Sequence, residues 1–302
     1  DGTTAGGTAA TLTIEPGVTV FGRSGADYIV INRGSQINAD ANAANPIILT
    51  SANDLIRRAD SDPSNDFGGD NIGEWGGLVI LGQAPINRCR NAATPATVDC
   101  DNVIEGVSNP DAVYGGADAA DSSGTLRYVS LRFSGFAIGT GNELNGISLG
   151  GVGSGTTIDY VQVHNSSDDG IEFFGGTVNA KHLVLTGEDD DSLDTDNGYN
   201  GSLQYIIVKQ RAAGGDNMVE ASSVAGITPA SDAKVSNFTF IGDAGGNAFR
   251  LNTGTIGTYV NGVVKEVTEC FRWETSAGNG VAGYQDGADP AFDSVLFDCA
   301  GG

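Results

Sequence analysis

A five-residue phrase returns six times in this 302-residue chain, and its recurrence limits the possible folds more than any other feature. It reads Asn145-Gly-Ile-Ser-Leu149, Asp169-Gly-Ile-Glu-Phe173, Asp191-Ser-Leu-Asp-Thr195, Asn217-Met-Val-Glu-Ala221, Asn247-Ala-Phe-Arg-Leu251 and Glu269-Cys-Phe-Arg-Trp273. The starts are separated by 24, 22, 26, 30 and 22 residues. Each phrase opens on a polar residue, continues with a mostly small one, and then alternates apolar, polar and mostly apolar. Such alternation marks a strand with one buried face. A strand that returns at this interval marks a solenoid, whose repeats bury their apolar faces only by stacking on neighbours.

A second strand recurs in step. Tyr128–Leu131, Tyr160–Val163, His182–Leu185, Tyr205–Val208, Phe238–Phe240 and Gly262–Val264 each precede one phrase. Gly, Asn and Asp turns separate the two strands, and a coil this short has no room for a long helix. The spacing therefore predicts an all-β, parallel β-helix with long loops. A β-sandwich also has many short strands but does not need one phrase to recur at coil spacing. In the β-helix, Ile147, Ile171, Leu193, Val219, Phe249 and Phe271 should stack as one interior column.

The repeat runs unbroken from Leu126 to Trp273, which favours one domain over 1–302. Its parts are opening coils (11–51), loop-rich coils (52–125), regular coils (126–275) and a disulfide-tied C-terminal segment (276–302). Residues 52–125 interrupt the coils with a polar excursion at 57–66, a cysteine loop at 87–101 and a small acidic loop at 111–124. A last loop is expected from Gly278 to Pro290. Forty-six glycines and eight prolines suit a turn-dense β protein, and they show no collagen period.

Charge excludes some partners. Thirty-eight acidic residues against fifteen basic ones give a net charge of −23, which argues against nucleic acid or an anionic membrane. No stretch approaches the roughly 20 apolar residues of a membrane span. The opening Asp1-Gly-Thr-Thr reads as a processed terminus. The four cysteines form two separated pairs without metal-site spacing, and only two histidines exist to complete a zinc site. They read as disulfides. Three connectivities are open; the local one, Cys89–Cys100 and Cys270–Cys299, is simplest. Disulfides imply export.

The N-terminal segment carries a family phrase. It reads Leu12-Thr-Ile-Glu-Pro-Gly-Val-Thr-Val20, Tyr28-Ile-Val-Ile-Asn-Arg-Gly-Ser35, Ile37-Asn-Ala-Asp40 and Asn45-Pro-Ile-Ile-Leu-Thr-Ser51. This resembles the opening coils of bacterial right-handed parallel β-helix proteins of the pectin-lyase-like superfamily. The run Asp168-Asp-Gly-Ile-Glu-Phe-Phe-Gly-Gly-Thr-Val-Asn179 is similar to a motif of secreted β-helix proteins from Gram-negative bacteria. The resemblance covers roughly residues 11–300 and implies the fold and export. It does not choose a function, because the superfamily includes lyases, hydrolases, adhesins and structural proteins.

Stacking the phrases places their fourth residues in one outward column: Ser148, Glu172, Asp194, Glu220, Arg250 and Arg272. Successive members should lie about 4.8 Å apart, so the three carboxylates repel one another. Asp168, Asp169, Asp189, Asp190, Asp191, Asp194 and Asp196 make the densest acidic patch. It reads as a solvated face with Asp and Asn capping turns, as an irregular Ca²⁺ site, or as catalytic carboxyls. In the catalytic reading Glu172, Asp194 and Glu220 supply the carboxyls of a glycosidase, whereas a lyase would instead pair Ca²⁺ with a basic residue such as Arg211, Arg250 or Arg272. His182 reads as structural, and His164 as an exposed strand end. No nucleophile elbow, phosphate loop or dinucleotide fingerprint is present. Tyr114, Tyr199, Tyr259 and Tyr284 are the tyrosines near turns where a sugar would stack.

These observations favour an exported structural or adhesive β-helix at the cell surface or in the extracellular matrix. Ca²⁺ would stabilise it and copies would assemble end to end as oligomers or filaments. The first alternative is a polysaccharide lyase or glycoside hydrolase acting on an extracellular polysaccharide. The second is a carbohydrate-binding surface module.

Overall fold

A computed structural model describes residues 8–62, 64–65, 69–139, 141–212, 214–243, 246–252, 254–274 and 290–300. Two long sheets of parallel strands wind together as a β-helix. The recurring phrase builds one of them. From the C-terminal end, its strands are Glu269–Glu274, Asn247–Asn252, Asn217–Ala221, Leu193–Asp196, Ile171–Phe174, Ile147–Gly150, Gly77–Leu81 and Tyr28–Ile31. Ile147, Ile171, Leu193, Val219, Phe249 and Phe271 pair residue to residue from coil to coil, as expected. Leu78 and Ile29 extend the column toward the N-terminus.

The companion sheet contains Gly124–Arg132, Thr157–His164, Asn179–Thr186, Ser202–Lys209, Lys234–Ile241, Thr258–Lys265 and Ala291–Asp298. These strands are longer than the sequence suggests, because each is bent in the middle. Tyr128, Tyr160, His182, Tyr205, Asn237, Asn261 and Ser294 all have φ between 52° and 59°. They are skipped in the pairing, so that Asp159 pairs with Lys181 and Val161 with Leu183. In a flat strand, residues three apart face opposite ways. The left-handed residue resets that alternation, and both Leu126 and Val129 then face the core. The bent residue itself points outward. Tyr128, Tyr160, His182 and Tyr205 stack as a ladder of rings on that face.

Interior packing is tuned between coils. Phe238 pairs with Gly262, and an added Cβ at Gly262 would lie 2.1 Å from the Phe238 ring. Gly262→Ala should therefore destabilise the protein by about 1–3 kcal/mol through overpacking. A chemical melt showing no loss would place the Phe238 ring elsewhere.

The excursion after the opening coils holds a short helix, Ala52–Ala59, where the sequence suggested only polar chain. Ser51 caps it by accepting from the Asp54 amide at 3.0 Å. Arg57 forks onto Glu74 at 2.7 and 3.0 Å and lies over the Phe133 ring.

Both local disulfides are present, with Cα–Cα distances of 5.0 Å for Cys89–Cys100 and 5.7 Å for Cys270–Cys299. Cys270 belongs to a phrase strand and Cys299 follows the last strand of the companion sheet, so this bond ties the two sheets together. The loop from 278 to 290 lies outside the described residues, except Pro290. Removing the bond, which spans 29 residues, by Cys270→Ser/Cys299→Ser should cost about 3–4 kcal/mol. A thermal melt of the double variant checks this. No helix among the described residues is long and apolar enough to cross a membrane.

Candidate acidic site on the phrase sheet

The outward face of the phrase sheet carries the acidic column. Ser148, Glu172, Asp194, Glu220, Arg250 and Arg272 follow one another in register. The face is not simply solvated. Ser148 is 1% and Glu172 7% exposed, because loops cover this end of the sheet. A second apolar cluster packs there outside the β-helix. It includes Val79, Leu81, Ile86, Cys100, Tyr114 and Leu144, and the Cys89–Cys100 loop is part of it. The Gly106 amide donates to Asn142 Oδ1 at 2.8 Å, which joins the segment after this loop to a hairpin of Phe136–Gly139 and Asn142–Leu144. Glu105 and Glu143 ride on these two segments, and the charges of both act on Asp168 at the coil corner.

The opening residues of the phrases form a second polar column at the coil corner. Asp169 Oδ1 accepts from the Asp191 amide at 3.0 Å. Asp191 Oδ1 accepts from the Asn217 amide and side chain, each at 2.8 Å. Asn145 Nδ2 donates to Glu172 Oε2 at 2.7 Å. Asp169, Asp191 and Asn145 are all buried. These bonds fix the carboxylates but leave oxygens over. Asn145 Oδ1, Glu188 Oε1 and Asp194 Oδ1 are buried with no hydrogen-bond partner.

Three triads offer carboxylate oxygens lying within 4.8 Å of one another. They are Asp168/Asp169/Asp190, Asp169/Glu172/Asp194 and Asp190/Asp191/Asp216. Asp169 and Asp190 each belong to two triads, so the three merge into one cluster. Burial is the main cause of the pKa shifts here, and neighbouring carboxylates add to it. Asp169, Glu172, Asp191 and Asp194 are pushed well above the usual carboxylate range. Asp168 rises to about 8 through burial, then Asp190, Glu105 and Glu143. Glu188 also rises to about 8, chiefly through burial. Burial raises Glu105 as well, against hydrogen bonds from Glu172 and Asn145.

The other sequence candidates lie around this cluster. Asp189 is outside the triads and pairs with Arg211. Asp196 pairs in register with Phe174 and is raised by burial, against the charge of Arg88. Glu220 meets Arg250 at 3.0 Å, and Arg250 also reaches Glu274 at 3.0 Å. Arg272 pairs with Glu269 at 2.6 Å. Tyr114, Tyr199 and Tyr259 are buried and offer no sugar platform; Tyr284 lies outside the described residues. His164 is half-buried rather than exposed, with Nδ1 2.8 Å from Thr186 Oγ1. His182 stands in the ring ladder, 2.7 Å from Asp159.

Sequence reasoning missed Asp216, Glu105, Glu143 and Asn145 as members of the acidic site. Asp216 sits directly before a phrase, as Asp168 and Asp190 do, and that position could have identified it. Glu105 and Glu143 come from irregular loops whose placement carries no periodic signal.

The fold and this surface define the class: a parallel β-helix with a carboxylate-rich outer face. A family model described as a pectate-lyase-like beta helix domain matches residues 1–297. The chain belongs to that family of right-handed β-helices. No match was found among curated proteins or among solved structures.

The donor set fits a hard cation. Every candidate ligand is an oxygen, the cluster contains no thiolate or imidazole among the described residues, and buried acceptors stand unpartnered beside it.

Proposed function

We propose that this protein is an exported, Ca²⁺-binding structural or adhesive β-helix. One observation carries the reading: Asp169, Glu172 and Asp194 converge beneath covering loops, with unpartnered buried oxygens beside them. Clustered carboxylates without a cation must hold protons, and Ca²⁺ takes six to eight oxygen ligands of this kind. Asp168, Asp169, Glu172, Asp190, Asp191, Asp194 and Asp216 would supply them. Two disulfides are compatible with export.

The arginines speak against a lyase. A base must give up its proton, yet Arg250 is held between Glu220 and Glu274 and its pKa is raised, chiefly by the bond to Glu274. Arg211 and Arg272 are paired with Asp189 and Glu269. A retaining glycosidase requires one carboxylate ionised beside one acid. In this cluster burial and like charge push the carboxyls toward the neutral form together.

End-to-end association is the assembly this shape favours. Among the described residues, the end strands of the companion sheet have one neighbour each. Leu12, in register with the buried Ile37, is 39% exposed at the N-terminal end.

Sedimentation with calcium and with chelator tests the assembly. Larger species should form with calcium and disperse on chelation. A monomer in both samples would reject the filament. Depolymerisation of an acidic polysaccharide, lost in Arg250→Ala, would overturn the non-enzymatic reading.

A further inference from the structure

The ring ladder on the companion sheet has no place in the acidic site, and its geometry allows a specific covalent reaction. Tyr128 and Tyr160 occupy equivalent places on adjacent coils, with ring centroids 4.4 Å apart and planes 4° from parallel. The two rings therefore face one another across adjacent coils. His182 stacks on the far face of Tyr160 at 4.1 Å, and Tyr205 follows at 4.9 Å. Tyr160 and Tyr205 are 41% and 46% exposed, so oxidants and solvent reach the ladder. The left-handed backbone at each ring fixes its direction.

We propose that Tyr128 and Tyr160 form an oxidative modification site, at which an intrachain dityrosine bond staples two neighbouring coils. Each phenol loses one electron and one proton. The two ring radicals join through their ortho carbons, and the ring hydrogens at those carbons move to the oxygens as aromaticity returns. Hydrogen peroxide takes up the two electrons and two protons and becomes two waters. The protons leave through solvent at the exposed Tyr160 edge. Tyr160 and Tyr205 are separated by His182, so Tyr128–Tyr160 is the directly stacked tyrosine pair of the ladder. Unlike the two disulfides, this bond survives thiol reductants.

The test treats the whole protein with a haem peroxidase and hydrogen peroxide, then reads dityrosine fluorescence, intact mass and cross-linked peptides. The expected product is a monomer lighter by two hydrogens, with Tyr128 joined to Tyr160. Tyr160→Phe keeps the stack but should abolish this product, whereas Tyr205→Phe should retain it. A melting temperature for Tyr160→Phe close to the parent shows that the variant is folded. The proposal is overturned if no dityrosine forms, if it forms only between chains, or if the monomeric product persists in Tyr160→Phe.

Discussion

Ile171→Asp is expected to leave the protein largely unfolded. Ile171 is 1% exposed and stands between Ile147 and Leu193 in the continuous interior column. The substitution removes a buried apolar side chain, worth about 2–5 kcal/mol with the cavity it leaves. It also places a carboxyl where no side chain can pair with it, adding several kcal/mol. The sum approaches the whole stability of a typical domain, about 5–15 kcal/mol. In a solenoid the damage spreads, because each coil is held by its neighbours. Circular dichroism should show loss of the cooperative thermal transition. An unchanged melting temperature would remove Ile171 from the core.

The second large effect is an unusual dependence of stability on pH. The clustered carboxyls have folded pKa values raised above their unfolded values, the reverse of a salt-bridged carboxylate. The folded protein then binds more protons than the unfolded chain, and stability falls as pH rises. The stabilising difference is fully present below the unfolded values near about 4. For Asp168 and Glu188 it is lost as pH climbs to about 8. A tenfold difference in proton affinity between the folded and unfolded chain is worth about 1.4 kcal/mol per group, and interacting groups do not add simply. Without divalent cation the melting temperature should therefore drop steeply between mildly acidic and mildly alkaline buffer. Asp169→Asn together with Glu172→Gln should flatten that slope. A metal-free protein that gains stability over this window would contradict the burial of the cluster.

The interior column was legible because the phrase repeats at coil length and alternates with period two. The bend in the companion strands was less visible, although its signal is present. Leu126-Arg-Tyr-Val129, Ile158-Asp-Tyr-Val161, Leu203-Gln-Tyr-Ile206 and Val235-Ser-Asn-Phe238 each set two apolar residues three apart. That spacing contradicts a flat strand and marks a left-handed residue between them, for which Asn is well suited and Tyr is not. The helix after Ser51 was not expected, although Ser51-Ala-Asn-Asp54 has an N-terminal capping pattern that could have marked it. The acidic column was legible as a register but not as a buried site. Its burial depends on Tyr114, Leu144 and the Cys89–Cys100 loop folding back over the sheet, and such long-range packing leaves no local period.

Calcium titration of metal-free protein by calorimetry, repeated in buffers of different ionisation enthalpy, shows whether the carboxylate cluster binds a cation. Ligand carboxyls must lose their protons to take a cation, so binding should release protons and the observed heat should vary with the buffer. Binding should be saturable and release protons, and both should be lost in Asp169→Asn/Glu172→Gln/Asp194→Asn. Absence of saturable heat, or the same heat in that folded triple variant, would contradict the binding and leave the carboxyls as protonated structural groups.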